Sequence, residues 1–172
     1  MFGGTVNGLK DPNIKKIGPS NEVWILELYA KNQYSWSKLN VRGTEPPPRT
    51  NHIAVCVKKP DAADSTAVVF IFGGMASTKM DDGYYLEPNP TEIKFTKIQW
   101  ESEQEGTEPQ VPPPRANHGA CVVDNYKVYV FGGNGGKGYE NIVFRDLWMF
   151  NHMKNSWTNI NYLASKFNFL IS

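Results

Sequence analysis

The sequence predicts an all-β fold in which one small antiparallel sheet is repeated along the chain. The first observation is composition, because 15 glycines, 12 prolines and 13% aromatic residues among 172 residues are typical of short strands joined by turns. The second is that no segment shows the sustained three-and-four spacing of an amphipathic helix. The third is an internal repeat, which indicates the architecture directly.

The motif Phe-Gly-Gly marks the repeat. It begins at residues 2, 72 and 131, and apolar, strand-like segments precede the second and third copies at 68–71 and 127–130. A glycine pair adopts backbone angles closed to other residues and admits a neighbouring chain closely, so each copy is predicted to end a strand and begin a loop. The glycines concerned are Gly3, Gly4, Gly73, Gly74, Gly132 and Gly133.

Two further marks recur in the same order. An aromatic residue begins a short predicted strand at Trp36, Phe95 and Trp157, and Pro-Arg-x-Asn-His occurs at 48–52 and 114–118. Another strand-like segment lies between the glycine pair and the aromatic mark of each unit. These segments are 23–28, 84–86 and 147–150. Each unit is therefore predicted to contain four strands.

Taken together, Pro-Arg-x-x-His, apolar-Phe-Gly-Gly, Asp or Asn before an aromatic strand, and a late tryptophan resemble the kelch repeat, as in the central domain of galactose oxidase. The resemblance implies a β-propeller of about three four-stranded antiparallel blades, which is an incomplete set because propellers usually close with four to eight. We expect propeller structure over residues 1–160, with blade pieces at about 1–40, 49–100 and 115–160, and the tail 161–172 stays unassigned. The sequence departs from the pattern at Phe95, where the family has tryptophan, and in that tail.

Several repeat marks have a predicted structural role. Trp36, Phe95 and Trp157 are expected to fill the gap between blades, which widens away from the propeller axis. His52 and His118 take equivalent places in successive units, so a structural role is favoured over metal ligation, for which His152 is the only further imidazole. The equivalent arginines, Arg49 and Arg115, have two open interpretations: they support loop carbonyls, or they meet an acidic group of a partner.

Strand direction predicts the face that binds a partner. Loops from the second to the third strand, and loops between blades, leave an antiparallel sheet on the same face, and here they are the long ones. They are 5–21, 75–81 and 134–145 for the first kind, and 41–50 and 100–116 for the second. Variable loops on a rigid scaffold carry recognition, so a protein partner is expected on this long-loop face. The candidate partner-binding residues are Arg49, Asn51, Arg115, Asn117, Lys137 and Tyr139.

Charge and composition argue against other partners. Lys and Arg total 18 against 17 for Asp and Glu, which gives no field to attract nucleic acid or an anionic membrane. No apolar run is long enough to cross a bilayer, and the first residues do not resemble a signal peptide. Cys56 and Cys121 lie in apolar segments, so buried free thiols are favoured over a disulfide, which indicates a cytoplasmic location.

No residue is predicted to be catalytic, to bind a metal or to hold a cofactor. Residues 134–138 are glycine-rich, but they lack the Gly-Lys-Ser/Thr of a phosphate-binding loop. We therefore expect a non-catalytic scaffold that binds protein, whether a large assembly or another chain that completes the propeller. The resemblance implies an intracellular scaffold of cytoskeletal or ubiquitin-ligase type. Two alternatives stay open: a propeller-enzyme fragment similar to copper radical oxidases or sugar mutarotases, and the regulatory domain of a signalling protein such as a kelch-bearing phosphatase.

Overall fold

The computed structural model describes residues 1–6, 18–58, 67–89, 92–136 and 140–161. Nearly all regular structure in these residues is strand, together with a 3-10 segment at Ala30–Asn32. The strands are β1 Thr5–Val6, β2 Gly18–Pro19, β3 Trp24–Leu28, β4 Tyr34–Lys38, β5 Asn40–Gly43, β6 Ile53–Val57, β7 Val68–Phe72, β8 Gly83–Pro88, β9 Glu92–Lys97, β10 Gly119–Val123, β11 Lys127–Phe131, β12 Asn134–Gly135, β13 Ile142–Val143, β14 Leu147–Asn151 and β15 Ser156–Asn159. The all-β prediction is confirmed.

Three of the sheets repeat one pattern, and we call them blades 1, 2 and 3. Blade 1 contains β3 and β4, blade 2 contains β6, β7, β8 and β9, and blade 3 contains β10, β11, β14 and β15. Strands that follow one another within a blade pair antiparallel, and β7 and β11 end in the Phe of Phe-Gly-Gly. Two small pairs, β1 with β2 and β12 with β13, lie within the segments predicted as the loops 5–21 and 134–145.

Blade 2 has one strand more than the sequence predicts. β5 overlaps the start of the stretch expected to be the loop 41–50, yet it pairs in parallel with β9, so that Asn40 is opposite Glu92. A parallel bridge from Glu101 to Ser156 is the equivalent contact at blade 3. The chain that leaves one blade thus covers the outer edge of the next blade, where backbone groups would otherwise be unpaired.

Two apolar clusters join the blades. Between blades 2 and 3, the rings of Phe70 and Phe150 stack with centroids 4.4 Å apart, and Trp157 lies 4.7 Å from Phe72. Between blades 1 and 2, Phe2, whose backbone bridges Val23 just before β3, packs edge-on against Phe95 at 5.4 Å. In each cluster the aromatic mark of one blade faces the preceding blade, as ring burial between twisted sheets requires.

The equivalent residue of blade 1 differs from the expectation. Trp36 is 47% exposed, whereas Phe95 and Trp157 are 1% and 2% exposed. No sheet in the described part of the chain packs on the side of blade 1 that carries Trp36. The ring therefore lies on an open sheet face.

The two cysteines are free, as expected, but the prediction that they are buried is wrong. Both Cys56 and Cys121 are exposed. Alternate residues of a strand face opposite sides of the sheet. In β6, Ile53 and Val57 turn towards blade 3, and Cys56 consequently turns away from it.

Within the described residues, no helix combines the length and the apolar character that a bilayer crossing needs. Of the unassigned tail, only Asn161 belongs to the described part of the chain.

Candidate partner-binding face

The long-loop face lies where the blades converge. β6 and β10, the first strands of blades 2 and 3, contact each other directly, and a backbone hydrogen bond of 3.0 Å joins Asn117 N to Asn51 O just before these strands begin. The loops that enter β6 and β10, and those that leave β7 and β11, lie at this same end of the sheets. The first strands therefore lie nearest the propeller axis.

A buried arginine clamp supports the loops of blade 2. The Arg49 side chain is 0% exposed and donates to both carboxylate oxygens of Asp82, at 2.7 and 3.0 Å. It also donates to the carbonyl oxygens of Gly73, at 2.9 Å, and Pro47, at 3.2 Å. One guanidinium thus joins the loop before β6 to the loop after β7, with the fork geometry that suits a carboxylate.

Arg115 repeats the clamp in blade 3. It is also 0% exposed, and it donates to Asp146 at 2.8 and 2.8 Å, to Gly132 O at 3.0 Å and to Pro113 O at 3.2 Å. Burial by itself raises the pKa of Asp146, but hydrogen bonds from Arg115 and Trp148 outweigh it and hold that pKa below its ordinary value.

The two arginines do not occupy the position that the partner-contact interpretation requires. Each guanidinium makes four hydrogen bonds inside the chain and has no exposed surface, so an acidic group of a partner cannot reach it. Arg49 and Arg115 hold the loops that form the face.

The glycine and histidine marks pack beneath the clamps. Gly73 has φ of +65°, and a Cβ there would lie 2.8 Å from both Arg115 O and His118 Cε1. Burial, with a smaller contribution from the Arg115 charge, lowers the pKa of His118 to about 4, and burial with the Arg49 charge lowers the pKa of His52 to about 4. Both imidazoles are therefore neutral at pH 7.

Asn51 and Asn117, in contrast, point outward and are exposed. Both have φ of +58°, a conformation that asparagine tolerates better than most residues. The side chain of Asn51 donates to Asn117 Oδ1, Asn117 donates to Asn134 Oδ1 at 3.0 Å, and Asn134 donates to Asn141 Oδ1 at 2.9 Å. We call these four residues the amide ladder, which runs from blade 2 across to the loop of blade 3.

A pocket of about 700 Å³ opens beside the ladder. One wall comes from the loop after β7, a second from the prolines that precede Arg115, and a third from the segment around β13. Its lining is mostly apolar and includes Met75, Lys79, Pro113, Pro114, Ile142 and Phe144. The volume is within the range of sites that hold small ligands or side chains of a partner.

Two contacts fix the pocket walls. The Lys79 ammonium, on the loop of blade 2, donates to Gly135 O at 2.8 Å and to Glu140 O at 3.4 Å, both in the loop between β11 and β14 of blade 3. The Phe144 ring lies under the Arg115 guanidinium, 4.4 Å from its centroid. A Cβ at position 135 would overlap the Phe144 ring, so this close approach needs glycine.

Sequence reasoning missed several residues of this face. Lys79, Phe144, Asn134 and Asn141 were not predicted, although Asn134 directly follows a Phe-Gly-Gly mark and could have been noticed there. The contacts of Lys79 with Gly135 and of Phe144 with Arg115 join segments that are far apart in the chain. The predicted contact residues Lys137 and Tyr139 lie outside the described residues.

No cluster of three or more His, Cys, Asp or Glu side chains that could hold a metal ion occurs in the part of the chain that the structure describes.

Comparison with known proteins agrees with this architecture. The family model of the KLHDC2/KLHL20/DRC7 Kelch-repeats domain matches residues 1–168. The chain is 33% identical to human host cell factor 2 over 77% of its own length, and 30% identical to Caenorhabditis elegans host cell factor homolog hcf-1, also over 77%. It is 31% identical to the Arabidopsis thaliana F-box/kelch-repeat protein At1g51550 over 75%. The matched parts are 15%, 16% and 25% of those relatives, so the chain spans a small share of their length. This protein therefore belongs to the kelch-repeat family, and its blades are part of a β-propeller.

Proposed function

We propose that this chain is a non-catalytic protein-interaction module whose partner binds on the long-loop face. The observation that carries the proposal is the apolar pocket of about 700 Å³ between the loops of blades 2 and 3. Clamped loops keep such a pocket preformed, which lowers the ordering cost of binding. On the opposite face, the described turns of blade 3 are short, at residues 124–126 and 152–155.

Membership of the kelch family supports an interaction role, and the near-neutral charge of the chain favours protein over nucleic acid as the partner. We also propose a cytoplasmic location, supported by two free thiols, and a propeller portion that ends near residue 160. Association with the cytoskeleton remains a prediction from the family resemblance.

A matched pair of variants tests the face. Ile142 lines the pocket and is 50% exposed, whereas Met153 is 48% exposed and lies in a turn of the opposite face. Immobilised wild-type chain, Ile142→Glu and Met153→Glu would each be incubated with a lysate of the cells that make the protein, and the retained proteins quantified by mass spectrometry. We expect Ile142→Glu to lose specific partners and Met153→Glu to keep them. Equal retention by both variants would argue against binding at this face.

A further inference from the structure

We propose that two copies of this chain associate through the uncovered sides of their outer blades. Blade 3 of each copy packs against blade 1 of the other, so that the two chains form one ring of blades. The proposal concerns the sides of the sheets and does not depend on the long-loop face. Two apolar sheet faces carry it, because each lacks a contact that the other can supply.

The open face of blade 1 has apolar side chains from both strands. Trp36 is opposite Leu26, and Tyr34 is opposite Leu28, so these four side chains lie on one side of the sheet. All four are exposed. Val23, just before β3, belongs to the cluster between blades 1 and 2. Because side chains alternate along a strand, the four exposed residues point away from blade 2.

Blade 3 has an open face on its other side. Val128 and Val130 of β11 belong to the cluster shared with blade 2, so Tyr129 and Phe131 point the opposite way. Phe131 is 58% exposed. Cys121 is opposite Tyr129 in β10 and is exposed on the same side. An uncovered, mainly apolar face thus lies at each end of the stack of three blades.

The contacts inside the chain show what covers such a face. The phenylalanine of a Phe-Gly-Gly motif packs against the aromatic mark of the next blade. The ring centroids are 5.4 Å apart for Phe2 and Phe95, and 4.7 Å apart for Phe72 and Trp157. All four rings are buried. These pairs account for two of the three motifs and two of the three marks.

The remaining motif phenylalanine is Phe131, and the remaining mark is Trp36, which is 47% exposed. Trp36 is opposite Leu26 in its sheet. Trp157 is likewise opposite Phe150, so the exposed and the buried mark have the same register. A contact between Phe131 of one copy and Trp36 of the other would therefore repeat the contact that already joins blades 2 and 3.

The outer edge of blade 1 is open as well. In blade 2, β5 pairs with the last strand, and in blade 3 a bridge joins Glu101 to Ser156 in the last strand. Within the described residues, β4 pairs only with β3. Because the preceding blade supplies the chain that covers such an edge, this edge also indicates a blade in front of blade 1.

A second copy supplies both missing contacts at once. Blades 1 and 3 of one copy lie on opposite sides of blade 2, and a propeller needs four or more blades to close. Three blades from each of two copies make six, within the range of closed propellers. Each copy then uses each open face once, so association stops at two chains.

Sedimentation velocity on the full chain, over a dilution series, tests the association. We expect a species with the mass of two chains that dissociates on dilution. Trp36→Lys and Phe131→Glu should each raise the dissociation constant at least about a hundredfold, because each places a charge without a partner in an aromatic contact. Both residues are exposed in a single chain, so each variant should keep its circular dichroism spectrum. A wild-type chain that stays monomeric throughout the series would overturn the proposal.

Two control variants change residues outside both open faces. Met153→Lys alters a residue that is 48% exposed, in a turn of blade 3, and Val143→Glu alters one that is 67% exposed, in β13. We expect both controls to match the wild type in mass. Dissociation of the controls to the same extent as the two face variants would show that added charge, and not the blade contact, decides association.

An equimolar mixture of Trp36→Lys and Phe131→Glu distinguishes this ring from other dimers. In a mixed dimer, one junction keeps both original aromatic residues, and the other places the introduced ammonium opposite the introduced carboxylate. We expect dimers in the mixture although neither variant forms them alone. A mixture that stays monomeric would contradict the ring. A dimer that survives either single variant would also contradict it, because that dimer would join two identical faces.

The free thiols give a readout that needs no substitution. Cys121 has the position in blade 3 that Val55 has in blade 2, where Val55 packs against the cluster shared with the next blade. Cys56 lies on the side of blade 2 that faces away from blade 3. Dimer formation should slow alkylation of Cys121 by a maleimide and leave Cys56 unchanged, as measured by peptide mass spectrometry. A dimer in which Cys121 reacts as fast as in the monomer would use another surface and would refute the proposal.

Discussion

Replacing Asp146 by asparagine removes the negative partner of the clamp in blade 3. Arg115 is fully buried and donates two hydrogen bonds of 2.8 Å to this carboxylate. Asparagine keeps the size of the side chain but carries no charge. Its amide N–H₂ replaces one acceptor oxygen, so that two donors face each other at one of the two Arg115 contacts. The hydrogen bond from the Trp148 indole, 2.7 Å long, weakens as well because its acceptor becomes neutral.

The expected loss of unfolding free energy follows from burial. Removing one partner of a buried ion pair costs about 3–5 kcal/mol, because the remaining charge stays desolvated. The Asp146 side chain is 22% exposed, so water partly screens this pair. We therefore expect a loss at the lower end, about 3 kcal/mol.

Urea unfolding followed by tryptophan fluorescence measures this loss. The control is Lys38→Met, which breaks the 2.7 Å pair with Glu22, whose side chains are 54% and 42% exposed. An exposed pair contributes at most about 1 kcal/mol. If Asp146→Asn lost no more stability than Lys38→Met, the buried guanidinium would not depend on its carboxylate, and the clamp argument would fail.

Three further predictions concern the repeat marks. The pKa of His118 is about 4 in the folded chain against 6.5 ordinarily. This histidine therefore leaves the free energy of unfolding unchanged above pH 6.5 and lowers it as the pH falls from 6.5 towards 4. Urea unfolding at several pH values should show that His118→Leu loses less unfolding free energy than the wild type between pH 6.5 and pH 4, by up to about 3 kcal/mol. Gly73→Ala should lower the melting temperature more than Gly106→Ala, since both have positive φ but only Gly73 has backbone within 3 Å of a Cβ; equal shifts would contradict this. Trp157→Ala should cost about 3–5 kcal/mol of unfolding free energy and Trp36→Ala much less, given their exposures; a similar loss in both would indicate that Trp36 is buried in solution.

The sequence by itself determined the repeated sheet. The three Phe-Gly-Gly marks, the strand-like segments before two of them and the Pro-Arg-x-Asn-His starts place β6, β7, β10 and β11 correctly. These features are local: alternation of apolar residues, the backbone freedom of glycine and the missing N–H of proline act within a few residues. Repetition then identified the family, because the same order of local signals recurs at similar spacing.

Only the tertiary structure decided which marked residues are buried and which are exposed. The sequence left two interpretations open for Arg49 and Arg115. In the fold both side chains are buried, and each is paired with a carboxylate that is distant in the chain, Asp82 or Asp146. The parallel pairing of β5 with β9, the exposure of Cys56, and the meeting of Lys79 with Gly135 likewise depend on segments separated by many residues. Such contacts are set by how blades stack and by which face of a strand the neighbouring sheet covers, and no local pattern in the chain encodes that choice.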